Sequence, residues 1–187
     1  MNISGRKTFN ILFKNLISAA ATLILTSIGP ASATQSLSSD YINAGGDYLD
    51  DRSSPESLLH SYYNAVVRQE YLRAFSYIDH RPQQPTAGEI QKFASGYEHT
   101  VSVRLKIGEE NGDGGAGTIT YCLPVALEAT LDNGKKQVFS GSYNFRLVSA
   151  LDQQMWPFYP LMITKGDLKL SHKPFEESVP ASCDPDS

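Results

Sequence analysis

Residues 54–78 restrict the fold most, because their apolar positions follow the period of a helix and change phase once. Pairs of apolar residues recur every fourth position through 58–67, which predicts one broad buried helical face. Ser54 followed by Pro55 is a favourable helix start, since serine caps free N–H groups and proline lacks an N–H that would be unpaired there. Polar residues interrupt the pattern at 68–70. We therefore predict two short helices that meet at an angle, with one straight helix as the alternative.

Residues 1–33 have the pattern of a secretory signal peptide. Positively charged residues come first, followed by an apolar run at 16–28 and the small-residue site Ala31-Ser32-Ala33. The apolar run is shorter than the roughly 20 residues that a membrane-spanning helix needs. We therefore predict cleavage after Ala33, no membrane anchor afterwards, and a periplasmic or extracellular location. The net charge of −4 argues against nucleic acid as a partner.

The remaining residues suit a single domain, which we assign to 54–171. Residues 34–53 are polar, acidic and aperiodic, and residues 172–187 are rich in proline, serine and acidic side chains. Both segments are predicted to be flexible, as an acidic leader and a tail. Cys122 and Cys183 form an even pair in an oxidising compartment, which favours one disulfide bond over two free thiols.

The second half of the domain reads as a sheet. Thr86 and Glu89 have the spacing of a capping box, so a third short helix is expected at about 90–96. Alternating apolar residues then predict four strands, at about 101–107, 119–131, 139–147 and 158–165. The predicted fold class is α+β, with the N-terminal helices packed in the concave face of a curved four-stranded antiparallel sheet.

The two longest strands allow the register of their hairpin to be predicted. Their apolar residues occupy odd positions in both strands, and both sets must face one core. A two-residue turn would pair odd with even positions and separate the two sets. We therefore predict a three-residue loop at 132–134 with its glycine in the left-handed conformation. Leu123 then lies opposite Tyr143, and Tyr121 lies opposite Phe145.

The segment SYYNAVVRQEYLRAFSYI resembles the opening helix pair of nuclear transport factor 2-like domains, in which an aromatic-bearing first helix ends in a charged corner. The segments FASGYEHTVSV, GAGTITYCLPVALEA, DNGKKQVFSGSYNFRL and PFYPLMI resemble strands of uncharacterised secreted bacterial members of that superfamily. The resemblance covers about residues 55–163 and implies a cone-shaped, cystatin-like sheet around the first helix, with homodimers common. It implies no single activity, because this fold hosts isomerases, cyclases and dehydratases as well as non-catalytic binders.

The positions expected to face the inside of the cone are almost all aliphatic or aromatic. They predict a pocket lined by Tyr62, Tyr63, Val66, Tyr97, Tyr121, Leu123, Tyr143 and Phe145. We expect a secreted, non-catalytic domain that binds a small apolar ligand in this pocket or a protein partner through the sheet. The alternative is a cofactor-independent isomerase or cyclase that uses acid–base groups in the cone, with Asp79 and His99 as candidates.

Other ligands and partners have less support in the sequence. The glycine-rich residues 108–117 precede a strand, not a helix, and lack the EF-hand spacing, so they are predicted to be a flexible hairpin loop. Two isolated cysteines do not make a zinc site, and no metal or cofactor is predicted. The outer sheet face carries little charge, which suits pairing with a second copy of the chain; it contains Thr118, Thr120, Ser140, Ser142 and Asn144.

Overall fold

The computed structural model describes residues 39–81, 83–154 and 156–183, so the predicted signal peptide lies outside the described residues. In this part of the chain three α-helices are accompanied by six strands. The helices are α1 (Pro55–Val67), α2 (Tyr71–Phe75) and α3 (Ala87–Tyr97). The strands are β1 (Ser39–Asn43), β2 (Thr100–Ile107), β3 (Asn111–Gly115), β4 (Thr118–Leu131), β5 (Lys136–Val148) and β6 (Met162–Leu170). The predicted α+β class is confirmed.

The first two helices form as the sequence predicts. Ser54 Oγ accepts a hydrogen bond from the Ser57 N–H at 3.1 Å, and Pro55 is the first helical residue. Helix α1 ends at Val67 because Gln69 has a φ of 58°, a left-handed conformation that cannot continue a right-handed helix. The corner between α1 and α2 is therefore a true break. None of the helices in the described ranges is long and apolar enough to cross a membrane.

The sheet is antiparallel and has six strands, so the predicted count of four is wrong. The strand order is β1-β2-β4-β5-β6, and β3 pairs with β4 beyond the end of β2. The ladder is interrupted by one register shift in β2, between Thr100 and Ser102, and by another in the pairing of β5 with β6, where β6 has the extra residue. Bulges of this kind bend a sheet. Strand β3 is made of the residues NGDGG, which have low strand propensity. It forms because the long strand β4 extends past β2 and leaves backbone groups that need partners.

The hairpin between β4 and β5 has the predicted register. Leu123 lies opposite Tyr143 and Tyr121 lies opposite Phe145, and Gly134 in the turn has a φ of 77°. The last strand starts later than predicted, at Met162 and not near 158. Pro160 explains the shift, because it has no N–H to donate to a neighbouring strand.

The described part of the predicted flexible leader, 39–53, is held against α1. Its first residues form β1, which pairs with β2. The N–H of Leu49 donates to Asn64 Oδ1 at 3.1 Å, and the N–H of Asp51 donates to Ser61 Oγ at 2.8 Å. The leader is therefore ordered here, in contrast to the prediction. It is anchored by polar side chains of α1, and contacts of this kind produce no hydrophobic period in the sequence of the leader.

The described part of the predicted flexible tail, 172–183, is likewise fixed. Phe175 is 5% exposed, and the guanidinium of Arg104 lies 4.4 Å from its ring centroid. Cys122 and Cys183 form the predicted disulfide bond. Because Arg104 belongs to the outward-facing set of β2, the tail covers part of the outer sheet face. The sequence does not reveal that Phe175 is buried, since one buried aromatic residue produces no periodic pattern.

Candidate functional site

Most of the predicted pocket residues are buried in the hydrophobic core of the described residues. Six of them are 5% exposed or less: Tyr62, Tyr63, Val66, Leu123, Tyr143 and Phe145. They pack together with the aliphatic residues of α1, β2 and β4 in one hydrophobic cluster. These side chains therefore belong to the packed core.

The buried tyrosines use their hydroxyl groups to bond one another. The Tyr63 and Tyr143 hydroxyls are 2.5 Å apart, and the Tyr62 and Tyr97 hydroxyls are 2.8 Å apart. Burial raises the pKa of Tyr62, Tyr63 and Tyr143, so these phenols stay neutral near neutral pH. Pairing satisfies polar groups that would otherwise be costly to bury. These tyrosines act as packing residues of the core.

An open groove of about 600 Å³ lies between α2 and α3. Its wall is a series of contacting rings: Phe75 to Phe93 at 5.2 Å and Phe93 to Tyr97 at 5.0 Å between centroids. The His80 ring stacks on Phe75 at 4.0 Å. The complete lining is Phe75, His80, Glu89, Lys92, Phe93, Gly96 and Tyr97. Tyr97 is therefore a predicted pocket residue that does line a cavity, although in a different place.

The sequence does not identify Phe75, His80 and Phe93 as lining residues. One sequence feature indicates an aromatic surface here: Phe93 and Tyr97 are four residues apart and so lie on one face of α3. Helix α3 has no fully buried residue, so this apolar face is only partly covered by α2. That incomplete coverage creates the groove, and it depends on how the two helices dock.

We call this groove the aromatic groove. Several of its polar groups form hydrogen bonds within the chain. The carbonyl of Phe75 accepts from His80 Nε2 at 3.0 Å. The Glu89 carboxylate accepts from the Thr86 N–H at 2.7 Å and from its hydroxyl at 2.8 Å, which completes the predicted capping box. These bonds from Thr86 lower the pKa of Glu89. The Phe75 carbonyl and the Glu89 carboxylate therefore already have hydrogen-bond partners within the chain.

Asp79 is not one of the residues that line the aromatic groove. Its carboxylate, 6% exposed, accepts from Arg81 Nε at 2.8 Å, from Arg81 Nη2 at 2.9 Å, and from Arg146 Nη2. The hydrogen bonds from Arg81 are the largest cause that lowers the pKa of Asp79 to about 2. A carboxylate held in its ionised form this firmly is a poor proton acceptor near neutral pH. Asp79 serves as an ion-pair residue next to β6.

His99 faces solvent, which corrects the prediction that it points inward. Its side chain is 63% exposed, and its Nδ1 lies 2.8 Å from Asp132 Oδ2, which raises the pKa of His99. The cause is the β-bulge between Thr100 and Ser102, which buries both of these residues and exposes Val101. A one-residue change of register reverses which positions face the core.

The outer sheet face is partly covered by the tail. Ser140 Oγ donates to the Ser178 carbonyl at 2.6 Å, and Ser142 is buried. Tyr121 lies at the margin of the core and also borders a shallow pocket of about 400 Å³ formed by β3, β4, β5 and β6. The uncovered outer surface is therefore smaller than the sequence predicts, and it lies around Thr120.

Comparison of the chain with protein-family models, with curated proteins and with solved structures finds no match. Its function is therefore inferred from its own residues.

Proposed function

We propose that this chain is an exported, non-catalytic domain that binds a small planar apolar molecule in the aromatic groove. The observation that carries the proposal is the series of contacting rings from His80 through Phe75 and Phe93 to Tyr97. The volume of about 600 Å³ lies within the roughly 300–1,000 Å³ that is typical of small-molecule sites. An apolar ligand that covers the partly exposed rings removes apolar surface from water, which is energetically favourable.

The rim of the aromatic groove favours an uncharged ligand. Glu89 and Lys92 both line it, so one negative and one positive side chain offset each other. A planar molecule can stack on one ring and present its edge to another, the two arrangements that aromatic pairs prefer. His80 and Phe75 already form such a stacked pair, which leaves the neighbouring rings of Phe93 and Tyr97 for the ligand.

A nuclear transport factor 2-like arrangement remains our proposal for the fold. It is supported by the helix pair at the start of the domain and by the register of the long hairpin. In this proposal the interior of the cone is filled by tyrosines, so the ligand site moves outward to the aromatic groove. Export is supported by the disulfide bond, which belongs to oxidising compartments, together with the signal-peptide pattern of residues 1–33.

The rival functions have less support. An acid–base enzyme would need a titratable group in the cone, whereas Asp79 is held ionised by two arginines and His99 lies in solvent. A homodimer through the sheet would have to use the outer surface that the tail leaves uncovered. Binding in the aromatic groove needs neither a titratable group in the cone nor an uncovered outer sheet face.

Two glycine substitutions in α3 provide a matched test. A Cβ added at Gly88 or at Gly96 meets no atom within 4 Å, so both positions accept a side chain. Gly96 lines the aromatic groove and Gly88 does not. Gly96→Leu should fill the groove, while Gly88→Leu makes the same chemical change elsewhere on the helix. Both remove a helical glycine, so neither should destabilise α3.

The measurement is a two-dimensional NMR titration of the ¹⁵N-labelled protein with uncharged naphthalene-sized compounds. Wild type and Gly88→Leu should show saturable shifts in the signals of Phe93 and Tyr97. Gly96→Leu should bind about tenfold more weakly or worse, since a leucine side chain occupies the site. Equal affinities of the two variants, or shifts confined to other residues, would refute the proposal.

A further inference from the structure

We propose that Asp40, Glu56 and His60 form a binding site for a divalent transition-metal ion such as Zn²⁺. One ligand atom from each of these residues lies within 4.8 Å of the other two. None of the three residues lines the aromatic groove. This proposal is therefore independent of the proposed function.

Two structural elements bring the three side chains together. Glu56 and His60 are four residues apart in α1, so they occupy the same helix face. Asp40 belongs to β1, and its pairing with Leu105 of β2 fixes its position. His60 Nε2 lies 3.3 Å from Asp40 Oδ2, close to the about 3.4 Å that separates two ligands of a tetrahedral zinc ion. A small movement of Glu56 would complete a three-ligand site.

The charge around this cluster also favours a cation. Elsewhere, several carboxylates are paired with lysine or arginine: Glu70, Asp79, Glu128 and Glu176. Within the described residues, Asp40 and Glu56 form no ion pair with a lysine or an arginine, and the basic side chain that contacts Asp40 is His60. Glu110 adds a third carboxylate, which lies close enough to Glu56 to interact with it electrostatically. In the part of the chain that the structure describes, none of these three carboxylates is therefore paired with a lysine or an arginine.

The ligand types indicate which ion fits. An imidazole nitrogen suits zinc, nickel and copper, whereas calcium and magnesium prefer sites made entirely of oxygen ligands. Three protein ligands on a partly exposed surface leave a coordination position for water. Because Asp40 lies in β1 and the other ligands lie in α1, a bound ion would join the first strand to the first helix. Metal binding should therefore stabilise the domain.

His99 provides a matched control within the same chain. It also stands beside two carboxylates, but Asp132 contacts Nδ1 at 2.8 Å and Glu98 contacts Nε2 at 3.3 Å. Since the two ring nitrogens point in different directions, these carboxylates cannot share one ion with the imidazole. His99→Ala therefore removes a histidine next to acidic groups without touching the proposed site.

The test is a calorimetric titration of ZnCl₂ into the untagged, EDTA-stripped protein, with a parallel measurement of the melting temperature. Wild type and His99→Ala should bind one zinc ion per chain. At a free zinc concentration about 100 times the Kd, the melting temperature should rise by about 5–10 °C. His60→Ala and Glu56→Gln should each bind about tenfold more weakly or worse.

Three outcomes of the zinc titration would overturn the proposal. These are no saturable zinc binding by the wild type, wild-type affinity in His60→Ala, or an equal loss of affinity in His99→Ala. Glu56→Gln keeps the test decisive if His60→Ala fails to fold, because it changes only the charge of an exposed side chain. Tighter binding of CaCl₂ than of ZnCl₂ would also contradict it, since the imidazole would then not be a ligand.

Discussion

Replacing Asp79 by asparagine should remove a pH-dependent contribution to stability. The folded protein holds this carboxylate between Arg81 and Arg146, and its pKa falls from 3.8 to about 2. At about 1.36 kcal/mol for each pKa unit, this lowering stabilises the folded state by about 2 kcal/mol at neutral pH. The carboxylate is 6% exposed, so solvent screens the interaction little.

The direction of the pH effect follows from the lowered pKa. The unfolded chain takes up the Asp79 proton at a higher pH than the folded protein does, so the stabilisation is fully present above the unfolded pKa. It is lost as the pH falls from about 4 towards the folded pKa of about 2. The amide introduced by Asp79→Asn does not ionise, so the variant lacks this contribution at every pH.

The assay is urea unfolding of wild type and Asp79→Asn at several values between about pH 7 and about pH 2. The other carboxylates titrate in both proteins, so their contributions largely cancel in the difference between the two free energies of unfolding. The wild type should be the more stable by at least about 2 kcal/mol at neutral pH, because the variant also leaves two guanidinium groups without their counter-charge. This advantage should shrink by about 2 kcal/mol on acidification. If the free energies of unfolding of the two proteins differ by the same amount at every pH, the expected role of Asp79 is contradicted.

Three further substitutions test the packing. Replacing Cys122 and Cys183 by serine should lower the free energy of unfolding by roughly 4 kcal/mol, from the sequence separation of 61 residues, and an unchanged urea midpoint would contradict this. Tyr63→Phe should cost about 1–3 kcal/mol in calorimetry because it leaves the Tyr143 hydroxyl unpaired, and the double Phe variant should cost less than the sum of the single changes. Gly141→Ala should prevent β6 from docking, because a Cβ there collides with its main chain; a wild-type melting temperature would show otherwise.

The features that the sequence predicts correctly are those with a strong local pattern. The corner between α1 and α2 follows from the phase change at Gln69, and the hairpin register follows from matching two apolar sets across Gly134. Both depend on residues close together in the chain. The pairing of Cys122 with Cys183 is also predicted, because no other cysteine competes for either of them.

The features that the sequence does not predict depend on distant partners. Strand β3 exists because β4 extends past β2, which its glycine-rich residues do not indicate. The bulge before Ser102 turns His99 towards solvent. It reverses the alternation of inward and outward residues from which an inward His99 is predicted. The aromatic groove arises from the incomplete docking of α3 on α2, so Phe93 looks like an ordinary core residue in the sequence.

Native mass spectrometry of the protein isolated from its own organism tests the binding proposal most directly. We expect the wild type to carry an additional mass of a few hundred daltons that belongs to a planar apolar compound. Gly88→Leu, produced in the same cells, should carry it too, and Gly96→Leu should have the mass of the bare polypeptide. Bare mass in all three proteins, or the same bound compound in Gly96→Leu, would contradict the assignment of the aromatic groove as the ligand site.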